Sequence, residues 1–293
     1  MDTHYDILIL GGGTAGLTVA SQLANRIAGH HIGIVEPSLK HYYQPLWTLV
    51  GGGIFPRQES ERDEADLIPD EIAWIRDAVL TVDPEKRTVT TSSSGTLTYG
   101  FLVVAPGVMP QWTKIPGLAE SVGKPGTGVV SNYSYETVAS TWEAIRSFQG
   151  GLALFTEPLT PVKCGGAPQK IMYLAEEAFR ANGVRDKSRV VFMNAKPTLF
   201  TAPYYIPALE RVIKSRGMEV QLGQELVVLR PDAREAVFRD ARTGTEQVMR
   251  YDMIHVTPPL SPPDFVRAGA LANSDGWVEV DKFSLQHVRF PEV

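Results

Sequence analysis

Gly11-Gly12-Gly13-Thr14-Ala15-Gly16 and, twenty residues beyond its last glycine, Glu36 form the first group of residues in this chain that could do chemistry. The G-x-G-x-x-G spacing suits a dinucleotide. Gly11 permits a sharp turn, Gly13 lets backbone approach a pyrophosphate, and Gly16 lets a helix lie close on the preceding strand, so that free N–H groups at the helix N-terminus face the anion. Glu36 stands where a carboxylate accepts the hydrogen bonds of an adenosine ribose. The second group is Pro161-Val-Lys163-Cys164-Gly-Gly-Ala-Pro-Gln-Lys170. Cys164 is the only cysteine, next to Lys163 and just ahead of a predicted helix, two features expected to lower a thiol pKa and favour the nucleophilic thiolate.

These residues need elements to hold them. Tyr5-Asp-Ile-Leu-Ile-Leu10 reads as an aliphatic strand, Leu17, Val19, Ala20, Leu23 and Ile27 as a helix, and Ile32 to Val35 as a second strand, a right-handed parallel βαβ unit. The stretch Ile72 to Tyr99 reads as an antiparallel meander, and Phe101 to Ala105 as a strand closing on Pro106-Gly107. A second unit begins after Gly150-Gly151. Ser134 is placed to cap a helix carrying Val138, Trp142, Ile145 and Phe148, followed by a strand at Leu152 to Phe155, a helix from Gln169 to Ala181 and a strand at Arg189 to Met193. A helix at Leu209 to Arg216, strands through Val227 to Phe238 and a strand at Met253 to Val256 complete it. The fold class is α/β, with two Rossmann-like dinucleotide-binding-fold domains in series and antiparallel meander insertions. The boundaries read as 1–112 for the first, dinucleotide-binding domain, 113–275 for the second Rossmann-like domain, and 276–293 for a segment returning to the first.

Composition narrows the function classes. The chain has 293 residues, 43% hydrophobic and 21% charged, with a formal net charge of -5. No dense basic run offers a footprint for nucleic acid. No uninterrupted apolar run reaches the length of a membrane span. The six histidines show no metal-ligand spacing, so no metal is expected. No presequence is visible ahead of Tyr5.

The second half lacks what a nicotinamide dinucleotide requires. Its strand runs into Thr156-Glu157-Pro158-Leu159-Thr160-Pro161, where two prolines remove donors and Glu157 opposes a pyrophosphate. The next strand ends at Asn194-Ala195-Lys196 without a ribose-binding carboxylate. The reductant should therefore be something small.

Several stretches resemble the sulfide:quinone oxidoreductases, in particular their mitochondrial branch. They are Tyr5 to Gly16, Ile34-Val-Glu36-Pro37, His41-Tyr-Tyr-Gln44-Pro45-Leu-Trp47-Thr-Leu-Val-Gly51, Ser131-Asn-Tyr133-Ser, Pro161 to Leu174 and His255 to Pro263. The turn at Ala105-Pro106-Gly107 further resembles the Ala-Thr-Gly turn that closes the FAD domain of glutathione-reductase-like flavoproteins. Pro106 stands in place of the threonine, so the hydroxyl contact does not carry over. The resemblance implies FAD contacts at Thr14, Ala15, Glu36, Gln44 and Val79, beside those of Gly11, Gly13, Gly16, Ala105 and Gly107. It implies that Cys164 is one of two redox cysteines. In the family, sulfide attacks a disulfide, a persulfide forms, the released thiolate gives two electrons to FAD, and a membrane quinone takes them; a thiol or sulfite acceptor removes the sulfur.

The family also continues past the point matched by Val293, into a Gly-Asp turn for the flavin, a second redox cysteine and amphipathic helices at the lipid surface. This leads to the expectation of an incomplete form, with weak FAD binding and negligible turnover by itself. The complete form is expected on a membrane surface as a peripheral protein, either on a bacterial cytoplasmic membrane or as a mature mitochondrial protein. Rival readings are a type II NADH:quinone oxidoreductase, a flavocytochrome-type sulfide dehydrogenase, and a flavin-binding fragment without catalysis.

Overall fold

Alternating β-branched and aliphatic residues after Tyr5 build the central strand of the first unit in the computed structural model, which describes residues 3–27 and 29–293. That unit takes in residues up to Tyr43, Glu61–Met109 and Ser261–Val293. In chain order its strands are β1 (His4–Leu10), β2 (Ile32–Val35), β3 (Lys40–Tyr42), β4 (Glu61–Asp63), β5 (Ala73–Ile75), β6 (Val79–Asp83), β7 (Thr88–Thr91) and β8 (Thr96–Val104), with helix α1 at Thr14–Ala24. The sheet order is β5-β2-β1-β8-β7-β6. β5, β2, β1 and the second half of β8 run parallel, whereas β6, β7 and the start of β8 are antiparallel. The meander thus begins at Val79 rather than Ile72, because the Ala73–Ile75 segment joins the parallel sheet beside β2.

β8 serves both parts, pairing with β7 through Thr98 and with β1 from there to Val104. One core holds Leu8, Leu10, Val35 and Ile75 with Val82, Val89 and Leu97 of the meander. A separate core holds Ile9, Ile32 and Ile34 with Ala20 of α1. Alternate residues of one strand therefore feed opposite faces, giving a helix, sheet and meander in layers. The final residues return to this unit: Leu102 N–H donates to Glu292 O at 2.8 Å, and Arg87 pairs with Glu292 at 3.1 Å.

After the two-residue strand β9 (Met109–Pro110), the second unit takes Pro110–Leu260 and also Gln44–Ser60. Residues 44–60, 110–112 and 261–275 thus lie in different units from those the serial boundaries gave them. Its helices are α2 (Trp47–Gly51), α3 (Leu118–Ser121), α4 (Val138–Ser147), α5 (Ala167–Ala181) and α6 (Ile206–Ser215). Its parallel sheet has the order β10-β17-β11-β12-β13, formed by Val129–Val130, Met253–His255, Gly151–Glu157, Ser188–Asn194 and Glu219–Leu222. β14 (Gln224–Arg230), β15 (Glu235–Asp240) and β16 (Glu246–Arg250) make a separate antiparallel sheet. Phe155, Phe179, Phe192 and Ile171 fill the helical side, and Leu154, Val191, Phe238 and Ile254 fill the side toward the antiparallel sheet.

Three helix starts differ from the sequence reading, and one of them is α6, which begins at Ile206 rather than Leu209. α5 begins at Ala167, two residues earlier, because Pro168 sits in its first turn, where a missing N–H costs nothing. α4 has Thr137 rather than Ser134 as its boundary residue; the Ser134 hydroxyl accepts Thr137 N–H in the turn ahead of the helix.

Candidate functional site

The glycine turn of the first unit is shaped by close backbone packing. Gly11 has φ +102°, and a Cβ there would stand 2.5 Å from Ala105 O. Ala105 N–H in turn donates to Leu10 O at 2.9 Å, which fixes the Ala105–Gly107 turn against the glycine turn. At Gly16 a Cβ would stand 1.8 Å from Gly11 O, so the helix could not approach its strand with any side chain there. Around Gly13, by contrast, a Cβ would meet nothing within 4 Å. The first bond of α1 joins Leu17 N–H to Gly13 O, so the N–H groups of Thr14, Ala15 and Gly16 have no partner within the helix. Thr14 and Ala15 are exposed, and no acidic side chain occupies the first turn. The turn is an open cradle edged with donors, which fits the pyrophosphate of a dinucleotide.

Glu36 leaves the end of β2 and is held by two backbone donors. Gly12 N–H donates to Oε2 and Ser38 N–H to Oε1, both at 2.7 Å. Each oxygen keeps further lone pairs for ribose hydroxyls. Glu36 N–H donates to Ile75 O at 3.1 Å, and Trp74 Nε1 donates to Glu36 O at 2.9 Å. Val79 opens β6 opposite Thr91, half-buried against the meander-side core. Beneath the turn lies Glu64, whose Oε1 would stand 2.4 Å from a Cβ on Gly12.

The second unit holds the cysteine loop. Cys164 is exposed, and its carbonyl accepts Ala167 N–H at 3.1 Å as α5 begins. Lys163 turns elsewhere: its Nζ donates to Gln44 Oε1 at 2.5 Å and lies 6.0 Å from the centroid of the Trp47 ring. The packing around that ammonium disfavours its charge and lowers the lysine pKa. Gln44, expected among the cofactor contacts, is therefore in the second unit and bound to the cysteine's neighbour.

At the carboxyl end of β11, Glu157 is buried and paired with Lys196 at 2.6 Å. Burial raises its pKa, against the opposing pull of Lys196. The sequence placed Glu157 here but missed Lys196 as its partner. The signal was present, because parallel pairing sets Glu157 opposite Asn194, two residues before the lysine. Nearby strand ends carry a further buried polar set. His255 Nε2 accepts Asn132 N–H at 3.1 Å, and full burial pushes the imidazole pKa down to about 3, so the ring is neutral. Tyr133 is buried with its hydroxyl lacking a hydrogen bond.

The structure therefore brings Gly11, Gly13, Thr14, Ala15, Gly16, Glu36, Ala105 and Gly107 into one locality of the first unit. Among the described residues no group of three or more His, Cys, Asp or Glu could hold a metal ion, and no helix is long and apolar enough to cross a membrane.

Residues 5–139 match the pyridine nucleotide-disulphide oxidoreductase family. The chain is 44% identical to the mitochondrial sulfide:quinone oxidoreductase of Mus musculus, over 99% of this chain and 64% of that protein. With the mitochondrial sulfide:quinone oxidoreductase of Schizosaccharomyces pombe it shares 33% identity, over 99% of this chain and 67% of that protein. The crystal structure of the sulfide:quinone oxidoreductase from Aquifex aeolicus matches with a TM-score of 0.84, covering 99% of this chain and 67% of that one at 18% identity, a likeness of fold. The chain thus spans less than two thirds of the mouse protein's length.

Proposed function

The chain belongs to the sulfide:quinone oxidoreductase family, and from that premise we propose that it binds FAD at the Gly11–Gly16 turn and oxidises sulfide at Cys164, with a quinone as the final electron acceptor. FAD, when bound, supplies the two-electron acceptor. The helix-start N–H groups hold its pyrophosphate and Glu36 accepts its ribose hydroxyls; Gln44 and Val79 join this set on the family resemblance.

Cys164 carries the sulfur chemistry. Hydrosulfide attacks a disulfide between Cys164 and a second cysteine, forming one S–S bond and breaking another, so that a persulfide and a thiolate result. The second cysteine lies outside these 293 residues, since Cys164 is the only one among them. A thiol or sulfite takes the outer sulfur. Cys164 and the second cysteine then re-form their disulfide by giving up two electrons, which bound FAD would accept and a quinone would finally take up.

The observation that supports this reading over an NADH-driven one is the buried Glu157–Lys196 pair at the end of β11. A nicotinamide dinucleotide would need free N–H donors there, and a buried carboxylate opposes its phosphates. The runner-up is a sulfide dehydrogenase with a haem partner, which differs in the acceptor alone. Membrane association as a peripheral protein is part of the proposal.

Replacing the thiol tests the sulfur step. In the FAD-loaded protein with its second cysteine present, Cys164→Ser is expected to abolish sulfide-dependent flavin reduction while leaving bound FAD unchanged by absorbance at 450 nm. Sulfide turnover retained in that variant would remove Cys164 from the mechanism.

A further inference from the structure

Glu64 has no part in the chemistry above, yet its carboxyl is among the most deeply buried in the first unit, with 2% of the side chain exposed. It returns to the unit at the end of β4, where its N–H donates to Leu39 O at 3.0 Å. The side chain points under the glycine turn. A Cβ on Gly12 would meet both Glu64 Oε1 at 2.4 Å and Glu36 Cγ at 2.6 Å, so the two carboxyl side chains crowd the same glycine. Glu64 Oε1 is buried and has no hydrogen-bond partner. Its Oε2 lies 3.6 Å from His41 Nδ1, beyond hydrogen-bond range. Of the charged groups on the surrounding elements, Glu36 just past β2 and His41 of β3 face it. Lys40 of β3 is taken by Glu61 and Asp63 of β4, and Asp66 of its own turn is exposed. A carboxylate with one oxygen unpartnered and another carboxylate beside it costs much more to bury than a carboxylic acid does, even with the His41 ring 3.6 Å from its other oxygen.

We propose that Glu64 is a positioning residue that sits as a neutral acid beneath the glycine turn, and that loss of its proton loosens the grip of Glu36 and the turn on the bound dinucleotide. The inference rests on the FAD reading and extends it to control of retention. Ionised, Glu64 repels Glu36 and adds negative charge close to where the pyrophosphate docks. Neutral, it leaves the N–H groups of the turn as the dominant field.

The direction of the pH effect follows from the raised acidity constant. Burial, and then the charge of Glu36, lift the Glu64 pKa from an ordinary value of 4.5 to about 7. The folded protein thus holds more protons than the unfolded chain between these values, and its stability falls as pH rises through that window. A bound pyrophosphate raises the pKa further, so FAD binding takes up protons near and above neutrality and weakens as pH rises.

The test is an FAD titration by flavin fluorescence at pH 6 to 8.5, on the wild type, Glu64→Gln and His41→Gln. The wild type and His41→Gln should bind FAD roughly tenfold more weakly at the alkaline end, the factor that one unit of pKa displacement produces, while Glu64→Gln shows a flat profile. Calorimetry of the wild type in two buffers of different ionisation heat should give net proton uptake on binding at pH 7.5, which keeps the test independent of any variant's folding. A pH profile of Glu64→Gln parallel to the wild type, or binding without proton uptake, overturns the role of Glu64 and leaves the FAD site standing. Absence of FAD binding at every pH overturns both.

Discussion

Glu36 owes its position to two backbone donors and one turn of geometry, and those are what a ribose would rely on. Gly12 and Ser38 fix the carboxylate in a single orientation before any ligand arrives. A charge-assisted hydrogen bond contributes about 1.5–3 kcal/mol, so Glu36→Ala is expected to weaken FAD binding by roughly tenfold to a hundredfold. Equilibrium dialysis of the variant checks this, and unchanged flavin occupancy would count against the ribose assignment. This part of the site was legible in the sequence, because glycine spacing and the distance to an acid are local features of one βαβ unit. Ser38 and Glu64 were not. Ser38 acts through its backbone N–H, which carries no sequence signal, and Glu64 reaches Gly12 only after a segment that belongs to the other unit. Lys163 shows a different gap. Adjacency to Cys164 suggested that its charge would serve the thiol, but the side chain runs to Gln44 and Trp47, 119 and 116 positions away in sequence.

Strands and helices were mostly readable because periodicity reports which face is buried. β2, predicted at Ile32 to Val35, is found at those residues. The errors fell where tertiary pairing overrides local pattern, as with β5, whose three residues fell inside the expected meander but lie parallel to β2. β11 and β12 show what pairing adds to function. Their register places a carboxylate and, two residues past its partner, an ammonium at the same end of the sheet. The side chains of Glu157 and Lys196 are 3% and 17% exposed, so removing one charge leaves the other stranded in a poorly solvated place. Lys196→Met is therefore expected to destabilise the second unit by about 3–5 kcal/mol, and the double variant Glu157→Leu, Lys196→Met to recover most of that loss. Urea unfolding followed by circular dichroism measures both. Equal stability of the single variant and the wild type would show the pair to be far better hydrated than its burial indicates.

At the scale of the whole molecule, two layered α/β units carry the two candidate groups, the glycine turn in the first and the cysteine loop in the second. The sequence showed both units, through a βαβ pattern that recurs after Gly150-Gly151. It did not show that Gln44–Ser60 belongs with the second unit, since nothing local marks a crossing between cores. Family membership and the cradle point to a flavin, and the buried Glu157–Lys196 pair at the end of β11 points away from NADH, so the identity of the electron donor is the deciding property. Anaerobic stopped-flow mixing of the FAD-loaded protein, with its second cysteine present, puts this to the test. Micromolar sulfide should bleach the oxidised flavin band at 450 nm rapidly, and NADH at the same concentration should leave it unchanged. Rapid bleaching by NADH, with sulfide inert, would contradict the assignment and return the protein to the NADH-dependent flavoenzymes.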